Sequence, residues 1–307
     1  MQVLATPEAA EVEAAQAEAA QAAWRGSLRP EQRAFYDREG YIVLEGLLSQ
    51  QDMAPARAAM GEKVDEIAAD LLAEGKICDL LAGEPFETRL ARLFEGLADA
   101  DFLKFGRGWR DRKAGYYHLM ATPKILDAVQ SLIGPEIFSN PVYNVRPKVP
   151  GVAAGAVPWH QDKSYWPQAN ASPVITVWIP LVDATLENGC LHLIPGTHTK
   201  RAVAHGSESY SGTKYLELPA EYIERRKRDI LALPMAAGSA VLFNDRLIHS
   251  STPNNSRAVR WSVDLRYQPT DQDPMPQHGA GFLARSERFP ERVATLEDWL
   301  ASRHQHQ

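Results

Sequence analysis

The sequence predicts an α+β fold in which helices come first and pack on a mostly antiparallel sheet sandwich. Three observations predict this class. Apolar residues recur at helical spacing up to Ile133, short strands separated by turn residues follow, and no internal repeat or interdomain linker is found. The chain has 307 residues and a hydrophobic content of 45%, which is enough for one domain with a substantial core.

The helices are predicted from apolar periodicity and from residues that start or stop a helix. Residues 1–28 form an Ala- and Glu-rich lead-in, for which we predict a solvated helix or disorder. Pro30 opens the first predicted helix and Gly40 ends it. The predicted helices are residues 30–38, 50–81, 85–97, 123–133 and 296–302.

The strands are predicted from short runs of β-branched and aromatic residues bounded by turns. Residues 202–228 are polar and Gly- and Ser-rich, so we expect an insertion between strands that could act as an active-site lid. The predicted strands are residues 41–44, 137–148, 174–182, 190–194, 231–233, 240–244 and 260–267.

Charge and composition exclude several classes of function. The formal net charge of −6 does not favour nucleic acid, because binding to its backbone depends on a basic surface. No stretch has the roughly 18–20 apolar residues that span a bilayer, and no membrane partner is expected. The chain has two cysteines, Cys78 and Cys190, which lie far apart and are typical of reduced thiols. We therefore expect a cytoplasmic protein.

A histidine and a carboxylate two positions apart form the central motif of the chain. On an extended strand, His160 and Asp162 project from the same face, so both can reach one metal ion. His249 on a later strand would complete a two-histidine, one-carboxylate set, which is typical of non-haem Fe(II) oxygenases. The alternative is that these are surface residues, or core histidines that are hydrogen-bonded to neighbouring carboxylates.

Arginines follow this motif on the strand predicted over 260–267. A planar guanidinium at Arg260 could bind the carboxylate of a cosubstrate through two parallel hydrogen bonds. Arg257 and Arg266 compete for that role, and an exposed strand arginine is the alternative interpretation of Arg260.

Several sequence motifs in this order resemble the phytanoyl-CoA dioxygenase family of Fe(II)- and 2-oxoglutarate-dependent oxygenases. They lie in residues 36–48, 157–166, 187–198 and 238–249, and the resemblance extends over roughly residues 30–270. The resemblance implies a double-stranded β-helix, or jelly-roll, with a cupin-like core and helices packed on its sheet. It also implies a single oxygenase domain over 29–307, with Fe(II) and 2-oxoglutarate as cofactors and O2 and a small molecule as substrates.

The resemblance also assigns roles to individual residues. His160, Asp162 and His249 match the metal ligands, and Arg260 matches the arginine that holds the distal carboxylate of 2-oxoglutarate. The residues matched to the rest of the cosubstrate pocket are Ser251, Gln161, Trp178 and Asn144. For the last two, a buried structural role is an equal alternative.

A further group of residues is predicted to line the substrate pocket. Their alternative roles are simple packing for the aromatic residues and a solvated surface for the basic ones. The group comprises Tyr165, Trp166, Lys163, Lys148, Arg266 and Trp109.

The predicted function is oxidation, chiefly hydroxylation, of a small molecule with release of succinate and CO2. Retention of the carboxylate at Asp162 favours hydroxylation, since related halogenating enzymes carry a small residue there. Two alternatives remain, a fatty acyl-CoA 2-hydroxylase of the same family and a non-catalytic, cupin-like protein that binds metal or 2-oxoglutarate.

Overall fold

The computed structural model describes residues 26–105, 109, 111–152, 155–166, 173–200, 203, 206–210, 213–273 and 279–302. The predicted lead-in lies outside these residues up to position 25. Within the described residues, no helix is both long enough and apolar enough to cross a bilayer. Cys78 and Cys190 are both free thiols.

Eight α-helices occur in the described residues, six of them before the second strand, Ile137–Ser139. The first two begin as the sequence predicts, with Pro30 in the first turn of α1 and Ser49 capping the amide of Asp52 in α2. Their bounds are α1 Pro30–Glu39, α2 Gln50–Ala73, α3 Arg89–Leu93, α4 Asp99–Phe105, α5 Ala114–Met120, α6 Pro123–Ile133, α7 Ala220–Glu224 and α8 Leu296–Ala301.

The strands form two facing sheets and a separate hairpin. The major sheet has the order β1-β10-β5-β12-β2-β13, with β3 also paired to β12, and the minor sheet has the order β4-β11-β6-β9. The strands are β1 Tyr41–Leu44, β2 Ile137–Ser139, β3 Asn144–Lys148, β4 Val157–His160, β5 Ile175–Pro180, β6 Leu191–Ile194, β7 Gly206–Tyr210, β8 Thr213–Glu217, β9 Leu231–Leu233, β10 Ala240–Asn244, β11 Ile248–Ser251, β12 Arg260–Pro269 and β13 Phe282–Arg285.

The two-sheet arrangement is the jelly-roll core that the sequence resemblance implies. Every named pairing between these strands is antiparallel. The α+β class and the helices packed on the major sheet are confirmed.

The central strand β12 explains how a sheet buried on both faces can still hold a polar site. Trp261, Val263, Leu265 and Tyr267 point to the helices and belong to the main hydrophobic core. The alternate residues, from Arg260 to Arg266, point between the two sheets and are also buried. Because strand side chains alternate, one face of β12 packs the core while the other supplies polar groups to the interior of the jelly-roll.

Three predicted elements differ from the structure. The helix predicted to reach Leu81 ends at Ala73, because Gly75 adopts a left-handed conformation with φ 68° that a helix does not continue through. The helix predicted over 85–97 is confined to α3. The strand predicted over 137–148 is split into β2 and β3 by a turn in which the side chain of Asn140 accepts a hydrogen bond from the amide of Val142.

Candidate metal centre and cosubstrate pocket

Two neighbouring strands of the minor sheet bring the predicted metal ligands together. In the β4–β11 pair, His249 lies directly opposite His160. One ligand atom from each of His160, Asp162 and His249 lies within 4.8 Å of the others, and all three residues are buried. The Nε2 atoms of His160 and His249 lie 3.6 Å and 3.9 Å from Oδ1 of Asp162.

Both histidine rings are oriented by a contact between Nδ1 and the backbone carbonyl oxygen two residues earlier. Nδ1 of His160 lies 2.9 Å from the carbonyl oxygen of Pro158, and Nδ1 of His249 lies 2.9 Å from that of Leu247. A proton on Nδ1 satisfies each contact and leaves the Nε2 lone pair free for a metal. Burial, together with the neighbouring His160, lowers the pKa of His249 to about 3, so His249 is neutral, as a metal ligand must be.

Asp162 does not lie on the strand but is the first residue of a 3-10 turn, Asp162–Tyr165. The preceding Gln161 is extended, so the carboxylate still reaches the side of β4 from which His160 projects. Arg266 binds this carboxylate, with Nη2 lying 3.0 Å from each oxygen, and the Thr176 hydroxyl donates to Oδ2 at 2.6 Å. Burial alone would raise the pKa of Asp162, but the Arg266 charge and the two histidines hold it well below its usual value.

Arg266 is part of a cluster with equal numbers of positive and negative groups, all of them buried except the half-buried Arg146. Its Nη1 donates to Asp264 at 2.9 Å, and Nε of Arg146 donates to the other oxygen of Asp264 at 2.6 Å. Asn144 also donates to Asp264, at 2.7 Å. We call Arg146, Asp162, Asp264 and Arg266 the balanced cluster. Asp264, Arg146 and Thr176 were not among the predicted site residues, although the alternation of side chains along β3 and β12 could have indicated Arg146 and Asp264.

Arg260, the predicted cosubstrate arginine, lies at the other end of the same inner face. It lines a cavity together with Ser251, Trp178 and both histidine ligands, and its guanidinium carbon lies 5.4 Å from the centroid of the Trp178 ring. The competing arginines are placed differently, since Arg257 is exposed and Arg266 is bound to Asp162.

The guanidinium of Arg260 has unused hydrogen-bonding capacity inside this cavity. It donates from Nη1 to Ser262, but its buried Nε has no partner, and no carboxylate within the described residues forms an ion pair with it. Burial lowers its pKa to about 10, which leaves it charged at neutral pH. An unpaired buried cation with a free N–H fits the distal carboxylate of a dicarboxylic 2-oxo acid, and the triad of two imidazoles and one carboxylate fits Fe(II).

Tyr165, Trp166 and Lys163, which were predicted to line the substrate pocket, lie in or next to the 3-10 turn that begins at Asp162. Tyr165 and Trp166 lie beside the site, since the Tyr165 ring packs edge-on against His160 and the Trp166 ring lies under Arg266. Lys163 is half-buried, next to Asp245, and burial lowers its pKa. The hydroxyl of Tyr165 accepts a hydrogen bond from the amide of Leu216 in β8, so the hairpin of β7 and β8 lies next to the site.

Three predictions are corrected by the structure. Trp109 packs edge-on against Trp261, on the helix side of β12, and therefore does not line the cavity. The Gln161 amide accepts from the amide of Val203 and donates to the carbonyl of Arg246, so it ties two loops to the metal strand. Lys148 is buried beside Ser251, at the cosubstrate end instead of at the substrate mouth.

Comparison with known proteins agrees with this site. The phytanoyl-CoA dioxygenase (PhyH) family model matches residues 36–262, well over half of the chain. The phytanoyl-CoA dioxygenase of Arabidopsis thaliana is 27% identical over 263 residues, covering 80% of this chain and 90% of the relative. The phytanoyl-CoA dioxygenase domain-containing protein 1 homolog of Dictyostelium discoideum is 26% identical over 262 residues, covering 78% and 91%.

Solved structures share the fold. The non-heme alpha-ketoglutarate-dependent carbocyclase SnoK from nogalamycin biosynthesis matches with a TM-score of 0.54 and 22% identity, covering 82% of this chain and 89% of SnoK. EctD from S. alaskensis, solved with 2-oxoglutarate and 5-hydroxyectoine, matches with a TM-score of 0.51 and 22% identity, covering 79% and 76%. With the triad in place, the family match shows an Fe(II)- and 2-oxoglutarate-dependent dioxygenase. The chain belongs to the phytanoyl-CoA dioxygenase family.

Proposed function

We propose that the protein hydroxylates a small organic molecule, with His160, Asp162 and His249 holding Fe(II) and Arg260 holding the distal carboxylate of 2-oxoglutarate. The observation that carries this proposal is the shared cavity, which both histidine ligands and Arg260 line. A cupin-like binding protein would need neither an open metal face nor an unpaired arginine beside it. The non-catalytic alternative is therefore not favoured.

The roles of the chain in the reaction are to bind, to orient and to exclude water. The two imidazoles present Nε2 to the metal because their Nδ1 atoms face backbone carbonyls. Arg266 and Thr176 fix the orientation of the Asp162 carboxylate. When bound, Fe(II) and 2-oxoglutarate supply the oxidising chemistry, with succinate and CO2 as co-products.

Ser251 and Trp178 complete the proposed cosubstrate pocket. The Ser251 hydroxyl can donate a hydrogen bond to the same distal carboxylate as Arg260. The Arg260 guanidinium stacks over the ring of Trp178, which helps to fix its position. Tyr165, Trp166 and Lys163 are proposed to contact the substrate on the opposite side of the metal. The carboxylate at Asp162 occupies a metal position that halogenation would need for chloride, which favours hydroxylation.

Two further proposals concern the chain as a whole. Residues 29–307 form one oxygenase domain, because the main core includes residues from Tyr36 in α1 to Trp299 in α8. The compartment is the cytoplasm, since the two cysteines, Cys78 and Cys190, are free thiols.

The test is a substrate screen that measures succinate. Purified protein with Fe(II), 2-oxoglutarate and O2 is given fatty acyl-CoAs, free acids and small metabolites, beside a His249→Ala variant that lacks a metal ligand. We expect substrate-dependent succinate and a product that gains one oxygen atom with a small metabolite, and neither from the variant. Turnover confined to acyl-CoAs would replace the small-molecule proposal, and binding of 2-oxoglutarate without succinate from any compound would replace the enzyme proposal.

A further inference from the structure

Lys148 is a fully buried lysine that has no acidic partner among the residues the structure describes. Its side chain extends from β3 in the major sheet to β11 in the minor sheet. The ammonium donates to the Ser251 hydroxyl at 2.8 Å, to the carbonyl of Thr252, and to the carbonyl of Gly189 at 3.4 Å. All three of its donors are thus used, and none of them on a carboxylate.

The chain is shaped to accept this side chain. A Cβ added at Gly155 would lie 3.1 Å from Cγ of Lys148, and a Cβ at Gly189 would lie 3.0 Å from its Cδ. Gly189 also has a positive φ of 82°. Two glycines from different loops therefore flank the stem of the lysine, and Asn254 donates to its backbone carbonyl at 2.7 Å. These contacts fix the position of the Lys148 ammonium group.

Lys148 stands directly opposite Arg260 in the register of β3 and β12. We call Lys148 and Arg260 the cation pair. Like charges opposite each other in a sheet destabilise it, and burial increases that cost. The negative charge of a ligand carboxylate, placed near Arg260 and the Ser251 hydroxyl, would offset the repulsion between the two cations. The cation pair therefore fits an anion better than either residue does alone.

The hydroxyl of Ser251 connects Lys148 to the cavity. Because the Lys148 ammonium donates to Oγ of Ser251, the proton of that hydroxyl is directed elsewhere, and Ser251 lines the cavity beside Arg260. We propose that Lys148 is a positioning residue that orients the Ser251 hydroxyl and, with Arg260, selects 2-oxo acids that carry a distal carboxylate. This inference rests on the proposed function, because it deepens the assignment of the cosubstrate site.

The electrostatic surroundings of Lys148 agree with this role. Burial, together with the charges of Arg260 and Arg146, lowers the pKa of Lys148 to about 6. The other titratable groups that face it are Cys190, whose pKa burial raises, and His192, whose pKa burial lowers. Among the described residues, Asp264 favours the charged form of Arg260, but no carboxylate forms an ion pair with either cation, so a bound dianion would favour the protonated lysine.

The test compares two cosubstrates that differ only at the distal end. Binding of 2-oxoglutarate and of 2-oxopentanoate, which has a methyl group in place of that carboxylate, is measured by calorimetry without O2 on Ni(II)-loaded protein. The variants are Lys148→Met and Arg260→Met, with Lys227→Met as a control that removes an exposed lysine. We expect Lys148→Met to weaken 2-oxoglutarate binding roughly 10- to 100-fold while leaving 2-oxopentanoate unchanged.

The outcomes separate this inference from the proposed function. Equal weakening of both acids in Lys148→Met would indicate a merely structural lysine and overturn the inference. Loss of selectivity in Arg260→Met with full selectivity in Lys148→Met would also overturn it, while leaving the proposed function intact. Full selectivity in both variants would overturn the proposed cosubstrate site itself.

The role of Lys148 can also be tested on the wild-type protein, so that the result does not depend on whether a variant folds. If binding of the dicarboxylate requires protonated Lys148, affinity for 2-oxoglutarate falls as pH rises above about 6, by up to roughly tenfold per pH unit. We expect this dependence between about pH 6.5 and 8.5 for 2-oxoglutarate and a flatter one for 2-oxopentanoate. An identical pH dependence for the two acids would overturn the inference.

Discussion

The cation pair and three members of the balanced cluster, Arg146, Asp264 and Arg266, lie on the same inner face of β3 and β12, yet the two regions differ in charge. In the balanced cluster, Arg146 and Arg266 face Asp162 and Asp264 at distances of 2.6–3.0 Å. In the cation pair, Arg260 and Lys148 have no carboxylate partner within the part of the chain that the structure describes. The charges of the balanced cluster cancel without a bound anion, whereas the charges of the cation pair need an anion to balance them.

This difference distinguishes buried charges that stabilise the fold from buried charges that are available to bind a ligand. Burial of charged groups is costly unless they are paired, so a balanced set is what a stable interior requires. The balanced cluster also orients the metal ligand Asp162 through Arg266. Burial of Arg260 and Lys148 without a carboxylate partner is expected to cost folding free energy, and the unpartnered Nε of Arg260 leaves hydrogen-bonding capacity for a dicarboxylate.

The largest effect is expected from Arg266→Met, which breaks the balanced cluster. Asp162 and Asp264 would lose their shared buried cation, so the free energy of unfolding should fall by about 3–5 kcal/mol. Chemical denaturation of the metal-free protein measures this loss. Arg38→Met, which removes an exposed ion pair with Glu39, is the control and should change stability by less than about 1 kcal/mol. A loss as small as that in Arg266→Met would contradict the account.

Arg260→Met at the cation pair should have the opposite effect on stability. Because it removes an unpaired buried charge, the free energy of unfolding of the metal-free protein should stay the same or rise. Binding of 2-oxoglutarate should weaken on the order of 100-fold, since two charge-assisted hydrogen bonds are lost. Denaturation and calorimetry on the same preparation check both results. A variant that is less stable but binds normally would show that Arg260 is structural.

A fall in pH is expected to destabilise the fold through Asp264 in the balanced cluster. Burial would raise the pKa of Asp264, but Arg146 and Arg266 lower it to about 2 in the folded protein. Because the folded-state pKa is lowered from 3.8, this carboxylate stabilises the fold above about pH 4, and the contribution, about 2 kcal/mol, is lost as pH falls towards 2. In Asp264→Asn, the free energy of unfolding should depend less steeply on pH across that window. The same slope in both proteins would contradict this assignment.

The smallest effect is expected at Thr176, which supports the metal ligand without carrying charge. Thr176→Val removes the 2.6 Å hydrogen bond to Oδ2 of Asp162 but keeps the side-chain shape. Metal affinity, measured by competition with a chelator, should fall about tenfold because a hydrogen bond that orients a ligand is lost. Thr199→Val, outside the site, is the matched control and should bind metal normally.

The sequence indicated the parts of the site that follow from strand alternation. His160 and Asp162 were expected to meet His249, and they do, because β4 and β11 are neighbours with the two histidines in register. The inward polar face of β12 could also be predicted, because its apolar residues occupy every second position. The start of α6 at Pro123 and its end at Ile133 were predicted for similarly local reasons.

The parts that were not predicted depend on contacts between distant segments. The sequence does not specify that Arg266 reaches Asp162, since this depends on how the 3-10 turn after β4 lies over the end of β12. Lys148 was expected at the substrate mouth because the register of β3 against β12, which sets it opposite Arg260, was unknown. Trp109 was assigned to the substrate pocket, but its ring packs against Trp261, a contact between distant segments of the chain.

The most direct test of the account is an anaerobic titration of Fe(II) and 2-oxoglutarate into the metal-free protein. We expect the weak visible absorption band that Fe(II) gives when a 2-oxo acid chelates it. The band should be lost in His249→Ala and should require far more 2-oxoglutarate in Arg260→Met, whereas Lys227→Met should behave like the wild type. Absence of the band in the wild-type protein under every condition would contradict the metal centre and the cosubstrate pocket together.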